Sequence, residues 1–293
     1  MFDPETRAAH LTMARDTAMG PVLLHVRDLD GMTAYYRDVL TLQVIAATDA
    51  GVTLGRADRP LVELRHGPAL ATSAPGQAGL FHTAILFESP AALAGALLSV
   101  ARRGAQTYTG AGEHLVSQAF YMTDPEGNGV ELYVDRPRED WRWVDGQVQM
   151  ATLHLDANEF IATHLTDDAA ETPEAMSATL GHVHLQVGDI PAARSFYVDT
   201  VGFTETFAMP TALFVAAGGY HHHMAMNTWR SAGAARRAIT LGLGEVTIDV
   251  PTTDDIGQLT ERLTRAGVAV RDDGATVSFD DPWANVIRVR QAA

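Results

Sequence analysis

An internal duplication constrains the fold of this chain more than any other feature of its sequence. Two pairs of segments match when the sequence is laid over itself. The first pair is VRDLDGMTAYYRDVLTL at 26–42 and VGDIPAARSFYVDTVGF at 187–203, at a shift of 161 residues. The second pair is TDPEGNGVELYV at 123–134 and DDPWANVIRVRQ at 280–291, at a shift of 157 residues. Because each half has a similar beginning and a similar end, we expect two halves of similar fold.

Within each half, one pattern of a strand, a helix and short strands occurs twice. LLHVRD at 23–28 alternates like a strand, and MTAYYRDVL at 32–40 is typical of a helix. LFHTAILF at 80–87 starts the pattern again, and PAALAGALLSVARRG at 90–104 predicts a helix that ends at Gly104. The second half repeats the pattern through the segments 182–187, 191–201, 213–227, 243–250, 254–267 and 275–290. The sequence therefore predicts an α+β fold of four βαβββ units. We number them one to four along the chain, with units one and two in the first half and units three and four in the second.

The length of the chain predicts two domains. A chain of 293 residues exceeds the usual size of one domain. We expect the first domain at 17–136 and the second at 178–293, each with two of the units, and a connecting segment at 137–177. No stretch approaches the roughly 20 apolar residues that a membrane span requires, so we expect no contact with a membrane interior.

Charge and composition narrow the partners and the chemistry. The formal net charge of −15 would repel a phosphate backbone and anionic lipid, so we expect neither nucleic acid nor a membrane as partner. The N-terminal stretch MFDPETRAAHLTMARDTAMG lacks a basic start followed by an apolar run, which argues against a secretory signal and favours a cytoplasmic location. Since the chain has no cysteine, any metal must be held by histidine and carboxylate side chains.

Several phrases of the sequence carry a family resemblance. The order of the units, the V-x-D…FY segment and the DP-x-G-N-x-x-E ending resemble the vicinal oxygen chelate superfamily, which contains glyoxalase I, antibiotic-resistance proteins and ring-cleaving extradiol dioxygenases. GLFHTAIL, SQAFYMTDPEGNGVELYVDRP, LGHVHLQVGD and ALFVAAGGYHHHMAMNTW are similar to its two-domain catechol 2,3-dioxygenases of the CatE type. The resemblance implies two vicinal-oxygen-chelate domains whose mixed sheets curl into cups.

The resemblance also implies metal-ligand positions on the first and last strands of each unit. Unit three has His182 at the first-strand position, seven residues before Asp189, and unit two has Glu131 seven residues after Asp124. The shared spacing adds His82 in unit two. Two imidazoles and one carboxylate form the ligand set that suits non-heme Fe(II), with Mn(II) as the alternative.

The remaining ligand positions hold residues that suit a metal poorly. Unit one has Pro21, which cannot bind a metal, and unit four has Glu245 and Arg288. Because arginine would bring a positive charge into this position, we expect the second cup to be free of metal.

The ligand set has a consequence for topology. His82 and Glu131 belong to unit two, whereas His182 belongs to unit three. A shared metal therefore requires cups that pair unit two with unit three and unit one with unit four. If the two units of each half close on each other instead, another chain must complete the site.

Strand alternation assigns the faces of LGHVHLQVGD. His182 and His184 fall on one face, while Val183 and Leu185 fall on the other. We expect the histidine face to line the cup and the aliphatic face to pack into the core.

Three adjacent histidines in GGYHHHMAMNTW, at 218–229, are predicted to lie in the last strand of unit three. Alternation groups His221, His223 and Asn227 on one face, and His222 on the other. In the family that the chain resembles, the second of two adjacent histidines on this strand transfers protons above the metal, a role that maps to His223. A pKa near about 6.5 suits that role. His222 is the alternative, and we expect His221 to be structural.

Further residues are expected along the pocket on the same resemblance. Tyr121 lies ten residues before the carboxylate ligand, the spacing of an active-site tyrosine in the family, with a merely packed tyrosine as the alternative. His114 resembles a substrate-binding histidine, although its spacing from the following tyrosine is two residues shorter than in the better-known enzymes. His184 and Asn227 are expected to bind substrate, and Trp229 to line the pocket.

The resemblance implies an extradiol dioxygenase that opens the ring of a small aromatic diol next to its hydroxyl groups and incorporates both atoms of O2. A glyoxalase-like isomerase or thiol transferase is one alternative, although such sites usually present two carboxylates. A non-enzymatic protein that sequesters an aromatic compound is another, and it predicts empty ligand positions. Because family members often associate, we expect a homo-oligomer.

Overall fold

The computed structural model describes residues 11–292. The first half of the N-terminal stretch on which the leader interpretation rests, and Ala293 at the end of the expected second domain, lie outside the described residues. Within the described range, no helix is both long and apolar enough to cross a membrane.

Strands outnumber helices along the described chain. Units one and two contain the strands β1 (Ala18–Val26), β2 (Gln43–Thr48), β3 (Gly51–Arg56), β4 (Arg59–His66), β5 (Gly79–Phe87), β6 (Tyr108–Glu113), β7 (Ser117–Thr123) and β8 (Gly129–Asp135). The connecting segment adds β9 (Trp143–Val144) and β10 (Gln147–Val148). Units three and four contain β11 (Ala178–Gln186), β12 (Thr204–Met209), β13 (Ala212–Ala216), β14 (Met224–Asn227), β15 (Gly242–Val250), β16 (Val270–Asp272), β17 (Thr276–Asp280) and β18 (Val286–Gln291).

The helices are fewer than the strands. They are α1 (Leu29–Ala34), α2 (Pro90–Arg103), α3 (Ala157–His164), α4 (Asp167–Glu171), α5 (Ile190–Arg194) and α6 (Thr253–Arg265). Wider turns of π type at Tyr35–Val39 and Ser195–Thr200 continue α1 and α5. Short 3-10 turns lie at Ala105–Thr107, Arg138–Asp140 and Pro173–Ala175.

Each of the two large sheets draws on both halves of the chain. One has the strand order β16-β17-β18-β15-β1-β4-β3-β2, and the other has the order β12-β13-β14-β11-β5-β8-β7-β6. In both sheets the first strands of two units meet antiparallel at the centre, and each pairs in parallel with the last strand of its own unit. This confirms the predicted α+β fold, and it confirms the pairing of unit two with unit three and of unit one with unit four. The domain division at 17–136 and 178–293 stays a prediction.

The predicted faces of β11 are confirmed. Val183 and Leu185 are fully buried in the hydrophobic core, which contains residues from both sheets. His182 and His184 project from the opposite face into the concave side of the second sheet, where they line a cavity. Alternation along a strand therefore separates core from site in this unit, as the sequence indicates.

Helix α2 shows why its ends lie where the sequence places them. The Ser89 hydroxyl accepts the N–H of Ala92 at 3.2 Å, and Pro90 occupies the first turn, where its missing N–H costs nothing. Gly104 ends the helix with φ of −143°, which is not the left-handed conformation of a glycine cap. Glycine is required there for space, because a Cβ atom would overlap the side chain of Val39.

The two duplicated motifs meet in space. The Tyr36 hydroxyl donates to Asp124 Oδ2 at 3.1 Å, and the Tyr197 hydroxyl donates to Asp281 Oδ2 at 3.0 Å. Each aspartate begins a turn whose backbone N–H groups donate to its other oxygen. Burial raises the pKa of both carboxyl groups against these hydrogen bonds. The tyrosine of one unit thus anchors the turn that leads into the last strand of the next unit, which explains why both motifs recur together.

Candidate active site

Three adjacent strands bring the predicted metal ligands together. His182 on β11, His82 on β5 and Glu131 on β8 all point into the same concave face, and Ala84 of β5 pairs with both His182 and Glu131. Glu131 Oε2 lies 3.0 Å from His82 Nε2 and 3.3 Å from His182 Nε2, and the two Nε2 atoms are 3.3 Å apart. Within residues 11–292, this is the one group of three or more such side chains whose donor atoms all lie within 4.8 Å of one another.

Glycines let the three strands approach closely enough. A Cβ atom on Gly129 would overlap the backbone of Phe81, and one on Gly181 would overlap the hydroxyl of Tyr133. Gly181 lies at an irregularity in the pairing of β11 with β5, directly before His182. Glycine is therefore required at these two positions because a larger side chain would not fit.

The surroundings of the ligands set their protonation. Burial raises the pKa of Glu131, but the neighbouring imidazoles His182 and His82 lower it by more, so it lies well below its ordinary value. Burial lowers the pKa of His182 to about 4, against the opposing effect of the carboxylate. At neutral pH the group therefore offers an anionic oxygen and a neutral His182 imidazole, the forms that bind a metal.

The donor set fits a divalent metal ion. Two imidazole nitrogens and one carboxylate oxygen, without a thiolate, match the two-histidine, one-carboxylate set of non-heme Fe(II) sites. His182 Nδ1 is buried and has no hydrogen-bond partner among the described residues, so its ring orientation is set by packing. That ring lies between Tyr133 and His222, with ring centroids 4.9 Å and 4.1 Å away.

The corresponding positions of the other sheet hold an ion pair. Arg288 Nη2 donates to Glu245 Oε2 at 3.1 Å, so the carboxylate is engaged by its neighbour on the adjacent strand. The positive charge that the sequence predicts at this position is thus the guanidinium of Arg288, paired with Glu245.

A cavity of about 690 Å³ opens over His82, Glu131 and His182. That volume lies within the usual range for small-molecule sites. His114, Tyr121, His184 and His222 contribute its polar wall, and aromatic side chains contribute much of the remainder, including Phe81, Phe207, Phe214 and Trp229. The predicted lining by Trp229 is confirmed.

Tyr121 and His114 form a hydrogen-bonded pair at the wall. Tyr121 lies opposite Glu131 in the sheet, and its hydroxyl is 2.7 Å from His114 Nε2. His114 Nδ1 lies 2.8 Å from the carbonyl oxygen of Ala151, which can only accept. A neutral His114 therefore carries its proton on Nδ1 and accepts the proton of Tyr121 at Nε2. Burial, and then the charge of Glu131, raise the pKa of Tyr121 well above its ordinary value, so its phenol stays protonated.

Asn227 holds His184 in place instead of lining the cavity. Its Oδ1 accepts the N–H of Trp229 at 3.1 Å, which directs Nδ2 to donate to His184 Nε2 at 3.0 Å. His184 then carries its own proton on Nδ1, and this nitrogen has no hydrogen-bond partner in the described part of the chain. The expected direct contact of Asn227 with substrate does not match this geometry, because Asn227 is fully buried behind the His184 ring.

The expected strand at 218–229 is wrong for its first six and its last two residues. Only Met224–Asn227 form β14, and 217–223 make a turn in which Gly218 and Gly219 have φ of 62° and 71°. These left-handed conformations favour glycine, and they break the alternation used to assign the faces of the three histidines.

The turn places His222, not His223, at the cavity. The His222 ring packs against His182 with centroids 4.1 Å apart, and it lines the cavity. His223 faces away: its Nδ1 accepts the N–H of Ala217 at 3.2 Å, and its ring lies against Tyr220. The assignment of the cavity position to His223 is therefore corrected, because the turn reverses the side on which each histidine emerges.

Sequence reasoning missed Asp135, which lies four residues beyond Glu131 on β8. Asp135 Oδ1 is 2.8 Å from His221 Nε2, and His221 Nδ1 is 2.7 Å from His222 Nδ1. The alternation Glu-Leu-Tyr-Val-Asp along β8 is the signal that could have found it, since it places Asp135 on the same face as Glu131.

Comparison with known proteins agrees with this architecture. A family model described as the Glyoxalase/Bleomycin resistance protein/Dioxygenase superfamily matches residues 18–132 and 179–289. The chain belongs to this superfamily. It is 33% identical to a catechol-2,3-dioxygenase of Bacillus subtilis (strain 168) over 273 residues, which cover 91% of this chain and 94% of that relative. The resemblance seen in the sequence is thereby confirmed.

Two other proteins resemble the chain less closely. Biphenyl-2,3-diol 1,2-dioxygenase 3 of Rhodococcus globerulus is 29% identical over 117 residues, 38% of this chain and 62% of the relative. Glyoxalase I from Zea mays superimposes with a TM-score of 0.57 at 16% identity, over 94% of this chain and 92% of that chain. The similarity to this glyoxalase I concerns the fold alone.

Proposed function

We propose that the protein is an extradiol dioxygenase that inserts O2 into the ring of a catechol-type diol at an Fe(II) site, with Mn(II) as the alternative metal. The observation that carries this proposal is the convergence of His82, Glu131 and His182 on the wall of an aromatic-lined cavity. The similarity to proteins named as dioxygenases of catechol and of biphenyl-2,3-diol supports the same reaction class.

A metal ion held by the three residues would act as a Lewis acid toward the diol and O2 and would hold both in one place. Among the three ligands, Glu131 contributes a single negative charge, and the two imidazoles contribute none. One carboxylate leaves a divalent ion incompletely neutralised, so an anionic diol is the complementary ligand. The chain must then provide a group that takes up the proton that the diol loses.

His222 is the group best placed to take up that proton. It lines the cavity beside His182, and burial lowers its pKa well below the ordinary value, so its imidazole is neutral at pH 7. We assign to His222, the alternative that the sequence leaves open, the proton-transfer role that the family resemblance maps to His223. A positioned acid or base of this kind contributes about 10²–10⁴-fold to a rate.

The other polar groups orient the diol. Because the Tyr121 proton is committed to His114, its hydroxyl presents lone pairs to the cavity and can accept a hydrogen bond from a substrate hydroxyl. His184 offers the Nδ1 proton that its bond from Asn227 leaves free. Phe81 and Trp229 pack edge-on against His184 and exclude water from the ring of the diol.

The proposal is tested by loading the full-length protein with Fe(II) under anaerobic conditions, adding catechol and then air, and recording the absorption spectrum. A yellow ring-opened product is the expected result. Glu131→Gln should lose stoichiometric iron and turnover, whereas the matched control Glu245→Gln, at the ion pair of the other sheet, should keep both. Isomerisation of a thiol hemithioacetal with Ni(II) or Zn(II), without ring opening by the Fe(II) form, would replace this proposal with the isomerase.

A binding protein makes a different prediction in the same samples. It would retain catechol in equilibrium dialysis with no dependence on metal and without consuming O2. Turnover measured with an oxygen electrode therefore separates the dioxygenase from a protein that only sequesters the compound.

A further inference from the structure

A chain of hydrogen bonds runs from the surface of the sheet to the cavity. Asp135 Oδ1 lies 2.8 Å from His221 Nε2, and His221 Nδ1 lies 2.7 Å from His222 Nδ1. His222 lines the cavity, and His221 is completely buried between it and Asp135. These three residues, which we call the Asp135 relay, contain none of the metal ligands.

The relay specifies which nitrogen of each ring carries a proton. A carboxylate oxygen accepts hydrogen bonds, so His221 Nε2 is the protonated nitrogen that donates to Asp135 Oδ1. With one proton on each ring, His221 Nδ1 is then an acceptor, and His222 Nδ1 must donate to it. His222 Nε2 is left bare, that is, without a proton, and is the nitrogen available to a ligand in the cavity.

The packing around the relay holds its geometry. The His221 ring lies against Tyr220 and Trp141, with centroids 4.1 Å and 5.1 Å away. The Tyr220 hydroxyl lies 3.3 Å from Asp135 Oδ1 and 2.8 Å from the hydroxyl of Tyr133. Asp135 thus receives two donors at one oxygen, and the His221 ring is enclosed by side chains that fix its plane.

The three adjacent histidines therefore have separate positions in the fold. His222 reaches the cavity, His221 connects it to a carboxylate, and His223 stays outside the relay with its Nδ1 on the Ala217 N–H. Strand β8 carries Asp135 at its C-terminal end and Glu131 near its N-terminal end, so it supports both the candidate metal site and His222. A shift of this strand would disturb both at once.

We propose that Asp135 and His221 are positioning residues that hold His222 in the tautomer with a bare Nε2, ready to accept the proton that the substrate loses. This inference rests on the proposed function for its catalytic consequence, but the tautomer itself can be observed without turnover. An acidic side chain that orients a histidine through its far nitrogen is an established way to prepare a general base.

The catalytic test compares three variants of the Fe(II)-loaded protein with catechol. His221→Phe keeps an aromatic ring between Tyr220 and Trp141 but removes the acceptor of the His222 proton. Asp135→Asn offers an NH2 group in place of a carboxylate oxygen and removes the charge that orients His221. We expect kcat to fall by about 10²–10³-fold in both, with KM and iron content close to wild type. His223→Asn, outside the relay, should keep the wild-type kcat.

A conservative change separates positioning from packing. In His221→Asn, the side-chain oxygen can occupy the place of His221 Nδ1 and accept the His222 proton, so part of the kcat lost in His221→Phe should return. If both substitutions at 221 lower kcat equally, the ring acts through packing and the relay is refuted. Equal kcat in wild type, His221→Phe and Asp135→Asn refutes it as well.

The tautomer is read by ¹⁵N NMR of the histidine side chains in the metal-free full-length protein, with the His222 signals assigned from His222→Gln. The expected spectrum shows His222 protonated at Nδ1 in wild type and redistributed toward Nε2–H in His221→Phe. A wild-type His222 protonated at Nε2 refutes the inference even if the protein is an active dioxygenase. If the wild type shows the expected tautomer but does not cleave catechol, the proposed function fails while the positioning of His222 stands.

Discussion

Burial of His223 should make the fold sensitive to acid. Its side chain is largely enclosed, its Nδ1 accepts the N–H of Ala217 at 3.2 Å, and burial lowers its pKa from 6.5 to about 3. As the pH falls through 6.5, the unfolded chain takes up a proton at this histidine, whereas the folded chain does so only near pH 3. The stabilising contribution is therefore complete above pH 6.5 and is lost progressively between pH 6.5 and about 3.

The size of this effect follows from the two pKa values. Proton linkage with 6.5 in the unfolded chain and about 3 in the folded chain gives a loss of about 2 kcal/mol between pH 7 and pH 5. His223→Asn removes the titrating group and can keep an acceptor for Ala217 at the position of Nδ1. The variant should therefore lose about 2 kcal/mol less stability than wild type over the same interval.

Urea unfolding followed by tryptophan fluorescence at pH 7 and pH 5 measures this difference, with both proteins in the metal-free state. Because the measurement is a difference between two proteins, the buried carboxylates that titrate in both cancel. His66→Asn, at an exposed histidine, is the control and should follow wild type. If His223→Asn loses as much stability as wild type between the two pH values, the burial argument is wrong.

Three further predictions concern contacts that hold the fold around the site. Tyr197→Phe removes the donor to the buried Asp281 carboxylate and should lower the free energy of unfolding by about 1–3 kcal/mol, measured by urea unfolding. Arg56→Met leaves backbone carbonyls of the connecting segment without their fully buried donor and should cost about 2–4 kcal/mol, visible as a lower Tm. Gly181→Ala forces a Cβ atom onto the Tyr133 hydroxyl, so we expect a cost of about 1–3 kcal/mol together with weaker Fe(II) binding by titration.

Much of the candidate metal site was predictable because its residues occupy equivalent positions of a repeated unit. His182, His82 and Glu131 lie at strand positions defined by the duplicated segments, and the fold brings their ligand atoms within 3.0–3.3 Å of one another. Alternation also places His184 correctly, since the pairing of β11 with β14 is regular from Val183 to Gln186. Period-two reasoning is reliable only where the backbone is extended.

The same reasoning fails where a turn intervenes. Gly218 and Gly219 adopt left-handed conformations just before the three histidines, and the side on which each histidine emerges is decided by that turn. Asn227 lies in the short strand that follows and contacts His184 instead of the cavity. Hydrogen bonds between residues far apart in the chain, which set these orientations, have no local signature in the sequence.

The sequence by itself determined that the chain is duplicated, that its units are βαβββ and which residue types can bind a metal, because these follow from repeats and from side-chain chemistry. Only the tertiary structure decided that one chain brings the three predicted ligands together, that His222 faces the cavity, and that Asp135 connects to it through His221. The first and the last depend on which strands lie side by side, and the second depends on the turn before the three histidines. Strand adjacency is a long-range property that local pattern cannot specify.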